Sequence, residues 1–210
     1  MKKADSFWDR SATQYDRQSK RYEGLYSETI DRIQAHCRPN DHVLDFGCGT
    51  GLITLALAGR VQSITATDIS EKMMQEAQKK ASARGINNIN FTQTPPEATV
   101  SPGSGFDRVV AANVLHFIPD IESTLSHLYA LLKPGGLFIS VTDCFKETRS
   151  PMSLMTQILS KARVLPALKA YRADGLKETV ADAGFLILEC EPLRHVAHNV
   201  FILAQKQKMD

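Results

Sequence analysis

The stretch Asp45-Phe46-Gly47-Cys48-Gly49-Thr50-Gly51 sets a carboxylate two residues before the first of three alternating glycines, directly behind Val43-Leu44. Glycines so spaced let a backbone come close to a ligand and turn sharply into a helix. A dinucleotide fold would use G-x-G-x-x-G, with a pyrophosphate seated on the helix N-terminus. Here the third glycine falls one position early, and Asp45 would repel a pyrophosphate. A carboxylate at that place suits a cation, accepting hydrogen bonds from an ammonium directly or through water. The second acidic residue, Asp68, ends the next strand-like run 21 positions after Gly47, where a carboxylate binds ribose hydroxyls. The implied ligand has a ribose, no pyrophosphate and a positive tail, conditions that S-adenosyl-L-methionine meets. Read for structure alone, the same residues make a strand-to-helix turn with Asp68 as a helix cap.

These residues need elements to hold them, and the chain alternates strand-like and helix-like pieces. His42–Phe46, Ser63–Thr67 and Asn90–Thr92 read as strands, and Phe106–Ala112 is a continuous apolar strand of the kind covered on both faces. Leu137–Thr142 is a fifth. Leu52–Ala58, Ser70–Arg84, Asp120–Lys133 and Asp174–Ala183 read as helices, with Ser70 as N-cap and Gly85 as C′ residue of the second. Phe185–Cys190 and His198–Ala204 have no helix between them and should pair antiparallel. The expected fold is α/β: a Rossmann-like, open, seven-stranded, mostly parallel sheet with an antiparallel last strand and helices on both faces.

Composition narrows the class. At 210 residues, with 43% hydrophobic and 23% charged residues, the chain is ordinary for one globular domain that needs no disulfides. A net charge of +2 is too balanced for a general nucleic-acid binder. No run approaches the roughly 18 apolar residues of a membrane span, and the first residues do not read as a signal peptide. Cys37, Cys48, Cys144 and Cys190 are far apart and include no CxxC pair, which fits reduced thiols in a cytoplasmic protein and no zinc site. The six histidines form no ligand-spaced cluster.

VLDFGCGTG, TDISEKMMQEA, FDRVVAANVLHFIPD and LLKPGGLFISVTD together resemble the motifs of the class I S-adenosylmethionine-dependent methyltransferases. The likeness is strongest to the broad small-molecule group that includes the ubiquinone-biosynthesis C-methyltransferases. FWDRSATQYD near the start and VADAGF before strand six extend it over most of the chain except about residues 145–173. The resemblance implies that Asp45, Gly47, Cys48 and Gly49 surround the methionine portion of the cofactor. It places Asp68 on the ribose, Ile69 and Met73 beside the adenine, and Asn113 at the methionine end with Leu115 and His116 near it. One departure stands out. Relatives read Gly-Asp-Ala after strand three, the aspartate reaching the adenine amino group, whereas this chain has Thr94-Pro95-Pro96. Pro95 offers that site only a carbonyl and an apolar ring.

Methyl transfer from a sulfonium asks chiefly for positioning of the acceptor on the sulfur–carbon axis, and a base is needed only when the attacking atom carries a proton. His116, just past strand four, is the candidate base, with packing over the cofactor as its alternative role. Asp143 and Cys144 end strand five at the same rim. Residues 1–40 should form a helical lid in which Trp8, Tyr15 and Tyr22 cover the cofactor, since aromatic bodies with polar tips suit a wet cleft. Residues 145–173 should insert a substrate cap. From Lys146 to Lys177, seven named basic residues outnumber Glu147 and Asp174, favouring an acidic or amphipathic acceptor. The expected function is methyl transfer to a small molecule at oxygen, nitrogen or carbon. A protein or RNA methyltransferase and a non-catalytic cofactor-binding partner protein are the competing readings.

Overall fold

The computed structural model describes residues 2–93, 105–144 and 168–208, and of residues 2–5 the backbone alone. Seven strands are present: β1 (His42–Phe46), β2 (Ser63–Asp68), β3 (Ile89–Gln93), β4 (Phe106–Ala112), β5 (Leu132–Asp143), β6 (Phe185–Pro192) and β7 (Asn199–Lys206). They lie in one sheet in the order β3-β2-β1-β4-β5-β7-β6. β1 to β5 pair in parallel, and β7 is antiparallel to both neighbours, as a closing hairpin without a crossover helix requires. This is the Rossmann-like arrangement that the alternating pattern implies.

The helices are α1 (Lys2–Ser19), α2 (Glu23–Ala35), α3 (Leu52–Leu57), α4 (Glu71–Ala83), α5 (Ile121–Leu131) and α6 (Ala173–Asp182). Successive strand side chains point to opposite faces, so the central strands feed two cores. Leu44, Val109 and Ala111 pack with Ile121, Leu125 and Leu128 of α5 and Leu176 and Val180 of α6. Val43, Val110 and Val141 pack on the other face with Leu25 and Ile33 of α2 and Leu57 of α3. Each fully buried aliphatic side chain there contributes about 1.5–3 kcal/mol. Ser70 caps α4 as expected, its hydroxyl accepting the Met73 N–H at 3.2 Å. No described helix is long and apolar enough to cross a membrane.

Most element ends fall within two residues of the sequence reading, and the largest difference is at the α5–β5 junction. α5 stops at Leu131 rather than Lys133, and β5 begins at Leu132 rather than Leu137. The cause is a bulge: Leu132 pairs with Phe106, but Leu137 pairs with Arg108, so Lys133-Pro134-Gly135-Gly136 is looped out within the ladder. Lys133 Nζ then reaches both oxygens of Asp107 at 2.8 Å, a tertiary contact that local turn signals do not encode.

The order of strands puts the crevice between β1 and β4, where the connections leave in opposite directions. The glycine turn forms its floor. The Gly47 and Cys48 N–H groups both donate to the Thr67 carbonyl of β2, at 2.8 and 2.9 Å. Gly47 has φ +76°, and a Cβ there would lie 2.5 Å from Val114 Cγ2. Gly47→Ala is therefore expected to lower stability by about 2–5 kcal/mol, combining left-handed strain with overpacking. Chemical denaturation should show a lower midpoint at an unchanged slope.

Candidate functional site

The crevice is lined by Tyr15, Tyr26, Asp45, Gly47, Cys48, Thr50, Leu52, Ile53, Ala112 and Asn113. Asp45 enters from the end of β1 and is 2% exposed. Burial pushes its carboxyl up to about 6, and the Thr54 hydroxyl, donating to Oδ2 from α3, acts against that rise. A buried carboxylate with one neutral donor lacks a counter-charge, and a cation entering the crevice would supply it.

Asp68 sits at the carboxyl end of β2, on the far side of the glycine turn. Its Oδ2 accepts the Gly49 N–H at 2.9 Å, and its Oδ1 accepts the Ser70 N–H at 2.8 Å. Burial pushes its carboxyl up from the ordinary carboxylate range, and these backbone donors act against that rise. Each oxygen retains acceptor capacity after those bonds. Gly49 has φ +55°, and a Cβ built on it would meet nothing within 4 Å. Gly47 is thus glycine because protein fills the space beside it, while Gly49 opens onto empty space.

Asn113 closes the crevice at the end of β4. It is the non-glycine residue with a positive φ, at +55°, among those described, and its N–H donates to Val141 O at 2.7 Å. A residue held in the left-handed region at a cleft mouth marks a position fixed by its surroundings. Cys48 is half-buried against Met74, sulfur to sulfur 3.7 Å, and burial pushes its thiol well above the ordinary range. It is a neutral wall. Ile69 is half-buried beside it, with its carbonyl accepting from Gln93 Nε2 at 3.1 Å. Met73 is 2% exposed and lies in the core under α4.

His116 is 2% exposed, and burial pulls its imidazole down to about 3, so it is neutral at physiological pH. Its ring packs 4.1 Å from that of Phe117, and its carbonyl accepts the Lys169 N–H at 2.8 Å. Its side chain is thus enclosed by protein rather than open to solvent. Pro95 lies outside the described residues, as does most of the expected cap, residues 145–167.

The N-terminal helix lies across the crevice. Trp8 packs edge-on against Phe117, centroids 5.0 Å apart, on the β4 side. On the β2 side, Asp9 Oδ1 accepts from Ser70 Oγ at 2.6 Å and from the Lys72 N–H at 3.2 Å. Asp16, seven residues on and so on the same helix face, accepts from the Thr50 hydroxyl and from Lys80 Nζ at 2.6 Å. Tyr15 and Tyr26 bring their hydroxyls 3.2 Å apart over the crevice, and burial keeps the Tyr15 phenol protonated. Tyr22 does not join them: it falls on the 3₁₀ turn Lys20–Tyr22 between α1 and α2 and is 56% exposed. Its expected place is taken by Tyr26, one helical turn later. The capping carboxylates Asp9 and Asp16 escaped the sequence reading, although their i, i+7 spacing was a signal that could have found them.

Residues 43–136 match the family described as methyltransferase domain. The chain is 32% identical over 141 residues to a demethylmenaquinone methyltransferase of Symbiobacterium thermophilum, covering 63% of this chain and 55% of the relative. It is 36% identical over 103 residues to a ubiquinone biosynthesis O-methyltransferase of Coxiella burnetii, covering 49% and 44%. The chain thus spans about half the length of these curated relatives. The fold superposes on an S-adenosylmethionine-dependent methyltransferase of Clostridium acetobutylicum with a TM-score of 0.72 at 16% identity, covering 92% and 99%.

The anchoring of α1 gives a direct test. Asp16→Ala removes an ion pair and a hydroxyl contact at once, and amide hydrogen exchange in residues 6–19 should accelerate about tenfold, equivalent to roughly 1.4 kcal/mol. Exchange in β1 and β4 should be unchanged.

Proposed function

We propose that this chain, whose residues 43–136 are a methyltransferase domain, binds S-adenosyl-L-methionine and moves its methyl group to a small-molecule acceptor. The supporting observation is the pair of carboxylates, buried Asp45 and half-buried Asp68, on either side of a turn whose Gly49 opens onto empty space. That arrangement fits a nucleoside carrying a positive tail and opposes a pyrophosphate. The names of the relatives, a demethylmenaquinone methyltransferase and a ubiquinone biosynthesis O-methyltransferase, support a small acceptor with a ring bearing oxygen.

In this reading Asp45 takes the ammonium of the ligand, and Gly47 and Cys48 wall its methionine portion. Asp68 accepts the ribose hydroxyls with the lone pairs left after Gly49 and Ser70. Ile69 and Met73 lie toward the adenine, and Tyr15 offers an O–H donor from α1. Tyr26 completes that pair in the position expected for Tyr22. When bound, the cofactor supplies an activated methyl on a sulfonium. The chain's own contribution is orientation and exclusion of water, by α1 across the crevice and Asn113 at its mouth.

Three outcomes test this. Isothermal titration should show S-adenosylmethionine and S-adenosylhomocysteine binding in the micromolar range and no binding of NAD; the reverse order would reject the reading. Asp68→Ala should weaken both adenosyl ligands by about 1.5–3 kcal/mol, the range for a charge-assisted hydrogen bond, and unchanged affinity would remove the ribose assignment. Affinity should also depend on pH. With its folded value near 6, Asp45 is protonated below that pH and loses its attraction for an ammonium. Binding should therefore weaken by up to about tenfold per unit as pH falls below 6. Asp45→Asn should bind more weakly at neutral pH and show a shallower slope. Asp68, raised in the same direction, accounts for the remainder.

A further inference from the structure

Beyond the glycine turn, the rim where β5 ends and β7 begins carries a second set of polar side chains. Asp143 and Asn199 are register partners in the antiparallel pair, and the Cys144 N–H donates to the His198 carbonyl at 2.7 Å. The backbone therefore fixes His198 opposite the end of β5. His198 Nε2 lies 3.6 Å from Asp143 Oδ1, with side chains 33% and 24% exposed. Asn199 is 1% exposed, and its amide donates to Asn113 Oδ1 at 3.3 Å. A chain of side chains thus runs from the crevice wall at Asn113 through Asn199 to Asp143 and His198.

Burial pushes the Asp143 carboxyl up, while the neighbouring His198 and a hydrogen bond from Asn199 hold it down. His195 of the β6–β7 turn is taken up by Glu28 of α2, Nδ1 to Oε2 2.9 Å. Glu28 also accepts the Arg194 and His195 N–H groups. Among the described residues, His198 is the ionisable side chain that acts on Asp143.

We propose that Asp143 and His198 form a base dyad that takes the proton of a hydroxyl acceptor, a phenol or an enol, on the β5 side of the crevice. The proposal rests on the methyl-transfer reading above and adds the acceptor class and the base to it. Asp143 holds the imidazole and stabilises its charged form, the role a carboxylate plays behind a histidine base. As the acceptor oxygen attacks, the oxygen–carbon bond forms and the carbon–sulfur bond breaks, its electron pair neutralising the sulfonium. The hydroxyl proton passes to His198 and leaves to solvent after release of the methyl ether. A phenol, near 10, stands about three to four units above an ordinary imidazole, within reach of a positioned base. An alkyl alcohol stands much further away. Asn199 ties this pair to the crevice wall, so the base is placed relative to the same Asn113 that bounds the cofactor side.

The test uses 4-nitrophenol as the probe, because its absorbance distinguishes phenolate from phenol without turnover. The full chain is saturated with S-adenosylhomocysteine, and the probe is added one pH unit below its own ionisation midpoint, where about one-tenth of the free probe is phenolate. Bound probe should be mostly phenolate with the wild-type protein, and its phenolate fraction should fall at least fivefold in His198→Gln and in Asp143→Asn. Titration with S-adenosylhomocysteine beforehand should give wild-type affinity for both variants, which separates the dyad from folding and cofactor binding. A probe that binds as neutral phenol, that does not bind, or that ionises equally in either variant overturns the proposal. Failure of the wild-type chain to bind S-adenosylhomocysteine would instead overturn the reading on which it rests.

Discussion

The Thr67 carbonyl is the hinge on which the arrangement turns. By accepting both the Gly47 and Cys48 N–H groups, it ties the loop after β1 to the strand beside it. That fixes the loop against β2 and brings Asp68 onto the Gly49 N–H. The bend is possible because Gly47 and Gly49 occupy left-handed backbone at no steric cost. Without that double acceptance the two carboxylates would belong to separate strand ends. With it, they flank the same turn.

Two carboxylates beside one glycine turn, Asp45 buried and Asp68 half-buried, concentrate negative charge there. Both are raised by burial, and each also feels the other or a further acidic neighbour. Neutral donors from Thr54, Gly49 and Ser70 offset part of that cost but supply no charge. A site so built favours a ligand with a positive group, because the cation restores what burial removed. The acidic face of α1 uses the same logic outside the cleft: Asp9 meets donors at the start of α4, where the helix dipole favours a negative group, and Asp16 meets Lys80.

Much of this was legible in the residues. The carboxylate before alternating glycines, the apolar run of β4 and the hairpin without a crossover each report a local constraint: a turn, a doubly covered strand, a short connection. The strand boundary at Leu132 was not legible, because the bulge depends on Lys133 reaching Asp107 across the ladder. Nor was the fate of the tyrosines. Helical spacing put Tyr15, Tyr22 and Tyr26 in one series, but the 3₁₀ turn between α1 and α2 rotates Tyr22 to the outside and brings Tyr26 over the crevice. His116 reads as a candidate base just past strand four, whereas the described packing of Phe117 and Lys169 encloses it.

By itself, the sequence determined the sheet, its chirality-bearing glycine turn and the chemistry of the two carboxylates, since these follow from residue type and spacing along one strand–turn–helix unit. Tertiary structure alone decided which aromatic rings face the cleft and how Asp9 and Asp16 anchor α1. It alone set His198 beside Asp143, residues 55 positions apart, because antiparallel pairing of β5 with β7 fixes neighbours by register rather than by distance along the chain.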